Sequence, residues 1–267
     1  MKLYIKSVSS YRSDQEDIDV KKELKKRYKL DTRRQDGFIH LGVFGAQRLK
    51  ENTQIDQHDE LYITTGIGNI DVLQRTHLYV CREKNSIKPY DFINMLGNTT
   101  SYYIAASLGV CGKTIFQISD NFTFIHSLIS IYASLNNSKK DAILGSIDLV
   151  NEPDEVIKRV LGIEESMEVL SSVNYQKLSL ERDDALASIE FDAKVYSFEE
   201  IQVILNNCHG KILSSVRCEK LGYEKPDKFF ETMASYAINA YVEKKQDLIY
   251  VDCFEEKYKI LKLKSLI

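Results

Sequence analysis

The stretch "GKTIFQISDNFTFIHSL", residues 112–128, reads as a β-rich run, a sharp turn and then a helix. Many α/β enzymes mount a nucleophile at such a junction, because the helix N-terminus behind the turn favours negative charge and lowers the pKa of a thiol placed there. Ser119, Asp120 and Asn121 stand at the turn. A carboxamide donates and accepts hydrogen bonds, but it forms no thioester and attacks no carbonyl. A serine nucleophile at Ser119 would need Gly-x-Ser-x-Gly with a histidine and an acid nearby. The surrounding "FQISDNF" lacks those glycines, and His126 sits one to two helical turns further on, where it would not face back.

Working outward, the helix from Phe122 carries Ile125, Leu128, Ile129 and Tyr132 on one stripe, and "KKDAILGSIDLV" (139–150) reads as a buried strand. The same order returns in "KFFETMASYAINAYVEKKQDLIYVDCF" (228–254), where Ala234, Ala237, Ile238 and Tyr241 form the stripe ahead of a Lys-Lys turn, an Asp and a strand. The repetition predicts two related βαβ-type halves packed on each other. We therefore expect one domain over 1–267: an N-terminal half 1–150, an irregular excursion 151–177 opened by Pro153 in "NEPDEV", and a C-terminal half 178–267.

The remaining elements fit an α/β chain. "LYIKSV" (3–8) alternates like a strand, and "DQEDIDVKKELKKRYKL" (14–30) is a charged stretch of helix formers. Its basic run "KKELKKRYK" (21–29) suits a solvated helix face or the docking of an acidic partner such as a carrier protein. "FIHLGVFGAQRLKEN" (38–52) spaces Phe38, Leu41, Phe44, Gly45 and Leu49 for a helix on a sheet, with His40 as a packing residue. "DELYITTGIGN" (59–69) is a strand ending in Gly66-Ile67-Gly68; Asp71 stands where a dinucleotide fingerprint needs glycine, so a tight turn is expected. "ALASIEFDAKVY" (185–196) and "GKILSSVRC" (210–218) read as strands, and Ser197 with Glu200 forms a capping box opening a helix between them.

Composition excludes several classes. A net charge of −3 gives no general attraction to nucleic acid or an anionic membrane. No run approaches the roughly 18 apolar residues of a membrane span, and the N-terminus lacks an apolar signal core, so a cytoplasmic location is expected. Cys81, Cys111, Cys208, Cys218 and Cys253 are scattered without a C-x-x-C pair, which predicts buried reduced thiols, no zinc site and no other metal. No cofactor is expected.

"DFINMLGNTTSYYIAASLGVCGKTIFQIS" (91–119), the helix from Phe122 and "AILGSIDLV" (142–150) resemble the β-ketoacyl synthases of the thiolase-like superfamily. In that family an F-I-N-x-x-x-N-x-x-A-type segment, a helix, an L-G-x-x-G turn, a strand, the nucleophile turn, a helix and a strand ending near G-x-x-D follow in this order. "RRQDGFIHLGVFGAQRLKE" (33–51) and "ELYITTGIGN" (60–69) are similar to its N-terminal half, and the segment 228–254 is similar to its closing helix and strand. The resemblance covers most of the chain as a pattern. It implies a thiolase-like layered αβαβα fold from two related halves, shortened in the C-terminal half. With the Gly112 turn as anchor, the family's catalytic cysteine falls on Asn121. The region carrying two catalytic histidines is largely missing. His209 in "NNCHGKIL" is similar to the first histidine motif but lacks its G-T-G-T continuation, and no histidine follows Gly222 in "LGYEKPDKFFETMA" where the second belongs.

Decarboxylative condensation needs a thiolate to hold the acyl chain and imidazoles to stabilise the developing enolate. The resemblance therefore implies a non-catalytic subunit of the chain-length-factor type, as in the shortened relatives of aryl-polyene-type pathways. Such a subunit pairs with an active ketosynthase in a type II polyketide, polyene or fatty-acid-like pathway and meets an acyl carrier protein through that complex. In the family the strand before the nucleophile pairs across the dimer axis. Here that edge is Thr114, Ile115, Phe116, Gln117 and Ile118, with Asn94 and Asn98 alongside. Phe122 and Phe124 pack the core, or plug or line an acyl tunnel. Two other functions remain open: a residual decarboxylase or acyl-transfer enzyme on carrier-bound thioesters using Asn121, Ser119 or His209, and a homodimeric scaffold.

Overall fold

The computed structural model describes residues 1–150 and 154–267; residues 151–153, including the Pro153 expected to open the excursion, lie outside them. Strand β1 (Lys2–Arg12) leads to the short helix α1 (Val20–Lys26), the long helix α2 (Gly37–Asn52) and strand β2 (Glu60–Thr65). Helix α3 (Ile70–His77) continues through a π-helical turn (Leu78–Arg82) to α4 (Pro89–Asn94) and α5 (Gly97–Leu108), before β3 (Thr114–Ile118), α6 (Thr123–Ser138) and β4 (Ala142–Asp148). After α7 (Glu155–Leu161) come β5 (Glu168–Val169), β6 (Ser172–Ser179) and β7 (Ala187–Phe191). The chain closes with α8 (Phe198–Asn206), β8 (Ile212–Ser214), β9 (Lys228–Phe229), α9 (Met233–Glu243), β10 (Leu248–Phe254) and β11 (Lys257–Ser265).

Nine strands form one sheet in the order β3-β2-β4-β6-β1-β7-β11-β10-β8, and β5 pairs separately with β9. The order divides between β1 and β7. On the N-terminal side the strands of the half run third, second, fourth, fifth, first, with only the fifth, β6, antiparallel to its neighbours. From β7 outward the second half runs first, fifth, fourth, second, again with only the fifth, β11, antiparallel to its neighbours. The halves meet through antiparallel β1 and β7, from Lys2↔Glu190 to Ile5↔Ala187, as a two-fold relation requires. Among the described residues the second half has no third strand; a single parallel bridge, Leu213↔Glu224, occupies its place. The duplication read from the sequence is thus present, and the two halves differ by one strand.

Hydrophobic burial arranges the halves in five layers. One core cluster joins Ile125 and Leu128 of α6 and Ala234 and Ile238 of α9 to Leu144 and Leu178 of the first half and Ile189 and Leu261 of the second. Both helices therefore lie between the two halves of the folded-over sheet. Helices α2 and α5 cover the outer face of the first half, where Phe38, Phe44 and Ile104 meet Ile63, Ile143 and Tyr175. Helix α8 covers the second half, with Ile201 and Leu205 on Val251 and Ile260. Each such side chain contributes about 1.5–3 kcal/mol by leaving water.

Local signals behave as their chemistry demands. Helix α8 opens with the capping box, Ser197 Oγ accepting from the Glu200 N–H and the Glu200 carboxylate from the Ser197 N–H. Asp36 caps α2 by accepting the Ile39 N–H at 3.0 Å. His40 packs inside α2 with Nε2 3.2 Å from the Thr32 carbonyl, and Gly68 takes φ +64° in the turn after β2. All five cysteines are free; Cys218 and Cys253 are buried as expected, whereas Cys81 and Cys111 are exposed. No helix among the described residues is long and apolar enough to cross a membrane.

The domain boundary also differs from the expectation. Residues 172–177 are not irregular but belong to β6, which is buried throughout and lies between β4 and β1. Its polar side chains conceal it: Gln176 Nε2 donates to Asn239 Oδ1 at 2.6 Å, Ser172 Oγ to the Tyr11 carbonyl at 3.1 Å, and Lys177 Nζ lies 3.3 Å from Asp59 and 3.4 Å from Asp141. The N-terminal half therefore extends to Ser179.

Tyr175 of β6 lies against Gly145 of β4, where an added Cβ would stand 2.5 Å from the ring, and its hydroxyl donates to the Gly42 carbonyl at 2.9 Å. Gly145→Ala should overpack this contact and cost about 1–3 kcal/mol, read as a lower urea midpoint followed by far-UV circular dichroism. An unchanged midpoint would contradict the packing.

Candidate functional site at the heads of two helices

The C-terminal ends of β2, β3, β4, β8 and β10 converge on the N-termini of α6 and α9. At α6 the strand–turn–helix junction is present: the Ser119 N–H donates to the Thr65 carbonyl at 3.1 Å, and Ser119 Oγ donates to the Asn121 carbonyl at 2.7 Å, closing the turn. The backbone enters the left-handed region at Phe122, φ 46° and ψ 31°, a conformation rare for a bulky side chain. Phe122 is 5% exposed, its ring set edge-on to His126 at 5.9 Å, with the Lys259 ammonium 5.8 Å from its centre. Asn121 instead turns its amide outward to Asp120 Oδ1 at 3.1 Å. The strained residue at the helix head is therefore Phe122, one position beyond the Asn121 that the Gly112 anchor selects. An anchor nine residues upstream carries no information on where the turn goes left-handed.

At α9, Asp148 at the end of β4 fixes the helix entry. Its Oδ2 accepts the Thr232 N–H at 2.8 Å, while Oδ1 accepts from the Gly66 N–H at 3.1 Å and from Thr65 Oγ1 at 3.3 Å. The preceding Glu231 points inward with its side chain 3% exposed, its Oε1 3.1 Å from Thr123 Oγ1. Arg217 Nη1 lies 2.8 Å from Glu231 Oε2, off the N–H axis, so this is a close contact without an aligned hydrogen bond. Gly66 is required here, since a Cβ would meet that of Glu231 at 2.3 Å. Arg217 also donates to the carbonyls of Asp120 at 3.2 Å and Leu161 at 2.9 Å, and sits between the rings of Phe229 and Phe254 at 5.1 and 5.6 Å. One guanidinium thus closes the front of both helix heads.

Burial sets the electrostatics. It pushes the Glu231 carboxyl well above the usual carboxylate range against the pull of Arg217, with Asp252 and Asp148 adding to the rise. Burial also raises Asp148 and Asp252, opposed by the hydrogen bonds to Asp148 and by the charge of Arg217 near Asp252. Lys259, 2% exposed, is held by the carbonyls of Ala193 at 2.9 Å and Lys194 at 3.3 Å; burial pushes its ammonium pKa down. His126 is lowered by burial and by Lys259. The Cys218 thiol behind the cluster is raised by burial and donates to the Val251 carbonyl at 3.5 Å. The group at the helix head is a benzyl ring, and the hydroxyls beside it are tied to backbone. Among the described residues no group of His, Cys, Asp or Glu is placed to hold a metal ion.

Other expected site residues lie apart. His209 is exposed in the loop before β8, beside Lys211 and Asp247, at the N-terminal end of the parallel pair β8 and β10; this is the far side of the sheet from Phe122. It takes no part in the cluster. Asn94 is buried rather than at the edge, its amide donating to the Arg34 carbonyl at 3.2 Å and its own carbonyl accepting from Asn69 at 3.0 Å, while Asn98 is exposed. Phe124 packs in the central core. Glu231 and Arg217 were not read from the sequence, and Asp148 appeared there only as the Asp of the G-x-x-D at the end of "AILGSID", not as a site residue.

Strand β3 is the end strand of the sheet. The Lys113 carbonyl accepts from the Leu61 N–H at 2.8 Å, and the Ser119 N–H turns to Thr65, so alternate positions address β2. The backbone groups of Thr114, Phe116 and Ile118 therefore point away from the sheet. Among the described residues, ten of the fifteen exposed large apolar side chains fall in sequence between Leu73 and Ile118, in β3 and the helical segment before it, including Tyr90, Phe92, Leu96 and Ile118, the last 59% exposed. An open strand edge with an apolar rim is a pairing surface.

No protein-family model matches the chain, and no curated protein matches it. Solved structures do match. A chain of the ishigamide ketosynthase/chain length factor superposes with a TM-score of 0.72 at 8% identity, over 100% of both chains. A chain of the ketosynthase ApeO in complex with its chain length factor ApeC from Xenorhabdus doucetiae gives 0.60 at 10% identity, over 98% of this chain and 99% of that one. A chain of AntDE:AntF, a type II acyl-carrier protein in complex with its ketosynthase, gives 0.68 at 11%, over 100% and 99%. At these identities the likeness establishes the fold, which is the thiolase-like fold of ketosynthases.

The raised Glu231 pKa has a definite sign. Above the ordinary glutamate range the unfolded chain has released a proton that the folded chain retains, so the contribution of Glu231 to stability falls as pH rises toward the folded-state pKa. Glu231→Gln removes this titration. Its stability relative to wild type, from urea denaturation, should rise between about pH 5 and about pH 8. A constant difference would mean that Glu231 is ionised across the range.

Proposed function

We propose that the chain is a non-catalytic, chain-length-factor-like subunit that pairs through the β3 edge with an active β-ketoacyl synthase and helps shape its acyl tunnel. The pathway would be of the type II polyketide, polyene or fatty-acid-like kind, with an acyl carrier protein meeting the chain through the complex. One observation carries the reading: an uncovered edge strand runs directly into a nucleophile turn whose strained position holds the buried ring of Phe122. Condensation needs a thiolate there and imidazoles facing it. The facing groups are instead Glu231 and Arg217, in contact at 2.8 Å. Matches to chains from structures described as a ketosynthase with its chain length factor support the same reading.

A residual enzyme finds less support. Ser119 spends its hydroxyl hydrogen on the Asn121 carbonyl, and His209 is remote. The isolated chain, incubated with acyl and malonyl thioesters, should keep its intact mass and release no CO₂. Covalent acylation or decarboxylation by the chain alone would overturn the non-catalytic assignment.

Partner choice is tested by co-expression with ketosynthase subunits, expected to give a stable 1:1 complex. Thr114→Pro removes one outward N–H at an edge, where proline is tolerated, and Ile118→Lys places a charge in the rim. The double variant should keep its far-UV spectrum and lose the complex. A homodimer indifferent to ketosynthases would favour the scaffold function, and a complex unaffected by the double variant would place the interface elsewhere.

A further inference from the structure

The first face of the molecule beyond β1 carries an unusual separation of charge. Residues 20–34 contain eight Lys or Arg and two acids, a surplus of six, in a chain of net charge −3; the remainder therefore carries a net charge of −9. All eight cations are exposed. Arg27 pairs with Glu51 and Arg33 with Asp31, and Arg34 lies over the Tyr90 ring at 5.1 Å. Among the described residues Lys21, Lys22, Lys25, Lys26 and Lys29 make no ion pair. The lysines of α1 surround Leu24, which is 0% exposed and anchors the helix to α2 and its neighbours.

Beside this helix runs a groove of about 250 Å³, floored by Leu24, Leu30 and Val43 and walled by Tyr102 and Tyr103 of α5, with Tyr102 67% exposed. A cationic rim beside an apolar groove is complementary to a helix bearing carboxylates and one projecting apolar side chain. Two other polyanions fit less well. A membrane-binding helix turns an apolar face outward, whereas the apolar Leu24 of α1 points inward. An extended nucleic acid would run from the patch onto an otherwise acidic surface and be repelled there. The patch also adjoins the β3 rim, because Arg34 and Tyr90 belong to the two surfaces and touch.

We infer that α1 and the groove beside α5 form a docking surface for an acidic helical protein, which on the reading above is the acyl carrier protein that serves the complex. The cations steer the acidic helix by long-range attraction, and the groove receives one apolar side chain from it. The arrangement predicts fast, salt-sensitive and weak binding, suited to a partner that must leave again.

The test uses the full chain and a holo-acyl carrier protein as probe, with binding followed by biolayer interferometry. Lys21→Glu, Lys22→Glu, Lys25→Glu and Lys26→Glu, combined, alter exposed unpaired positions only, and circular dichroism checks the fold. The expected result is binding by wild type that weakens with salt, and a dissociation constant at least about tenfold higher in the variant, mainly through slower association. Tyr102→Glu, at the groove wall, should weaken binding chiefly through faster dissociation. Carrier protein that does not bind, or binds the variant as well as wild type, overturns the inference. So does tighter, α1-dependent binding of phosphatidylserine vesicles or a single-stranded oligonucleotide. The 1:1 ketosynthase complex should survive the lysine reversal, so loss of docking and loss of subunit pairing are separate results.

Discussion

A single carboxyl group, that of Asp148, fixes the geometry on which the site depends. It ends β4 in the first half, accepts from the end of β2 through Thr65 and Gly66, and accepts the Thr232 N–H that opens α9 of the second half. The central apolar layer holds the halves together but is non-directional and would tolerate sliding. Polar groups with fixed partners remove that freedom. Asn239 of α9 adds a second tie, donating to the Ser9 carbonyl at 3.0 Å and accepting from Gln176, so α9 is held to β1 and β6 along its length. Each of these groups is buried, and leaving one unpaired costs about 1–3 kcal/mol, more for a charge. They therefore select one register between the halves more sharply than the surrounding leucines and isoleucines do.

Among the described residues the second half has no third strand, and this bears on how Glu231 is held. In the first half that strand, β3, delivers the chain to the head of α6 along a ladder of backbone bonds. In the second half the corresponding ladder is the single bridge Leu213↔Glu224, and the chain reaches the head of α9 from the two-residue strand β9, which pairs with β5 outside the main sheet. Something else has to position Glu231, and Arg217 does so. Its two carbonyl bonds and two ring contacts join the turn before α6, the end of α7 and the hairpin of β10 and β11 to the α9 entry. Desolvating this pair is expensive, and an ion pair alone repays that cost poorly. The carbonyl bonds and aromatic faces supply what the Coulomb attraction lacks.

Legibility in the sequence followed the range of the interactions involved. The junction at residues 118–123, the stripes of α6 and α9, and the Ser197–Glu200 box depend on neighbours within a few residues, and each was readable. Strand β6 was not, because its alternation pairs Val173 and Tyr175 with Asn174 and Gln176, which looks polar until α9 appears above it. The Glu231–Arg217 pair spans a loop, and its other contacts reach back to Asp120 and Leu161. Nothing local marks it. His209 shows the converse error, since a His-Gly pair drew attention by type while the strand direction after it sends the site to the opposite end.

Phe122 shows that the path of the turn is set by its surroundings. A left-handed backbone at a bulky aromatic residue costs of order 1–3 kcal/mol and persists only where surroundings over-determine it. Here the Ser119–Asn121 closure, the Thr65 bond and the α6 core fix the path on both sides, so the conformation belongs to the fold and not to the side chain. The buried ring beside the Lys259 ammonium gains cation–π attraction while filling the space before the helix. Away from the helix heads, the apolar strand edge and the cationic helix adjoin each other where Arg34 lies over the Tyr90 ring. Their adjacency lets one small chain present both on neighbouring faces.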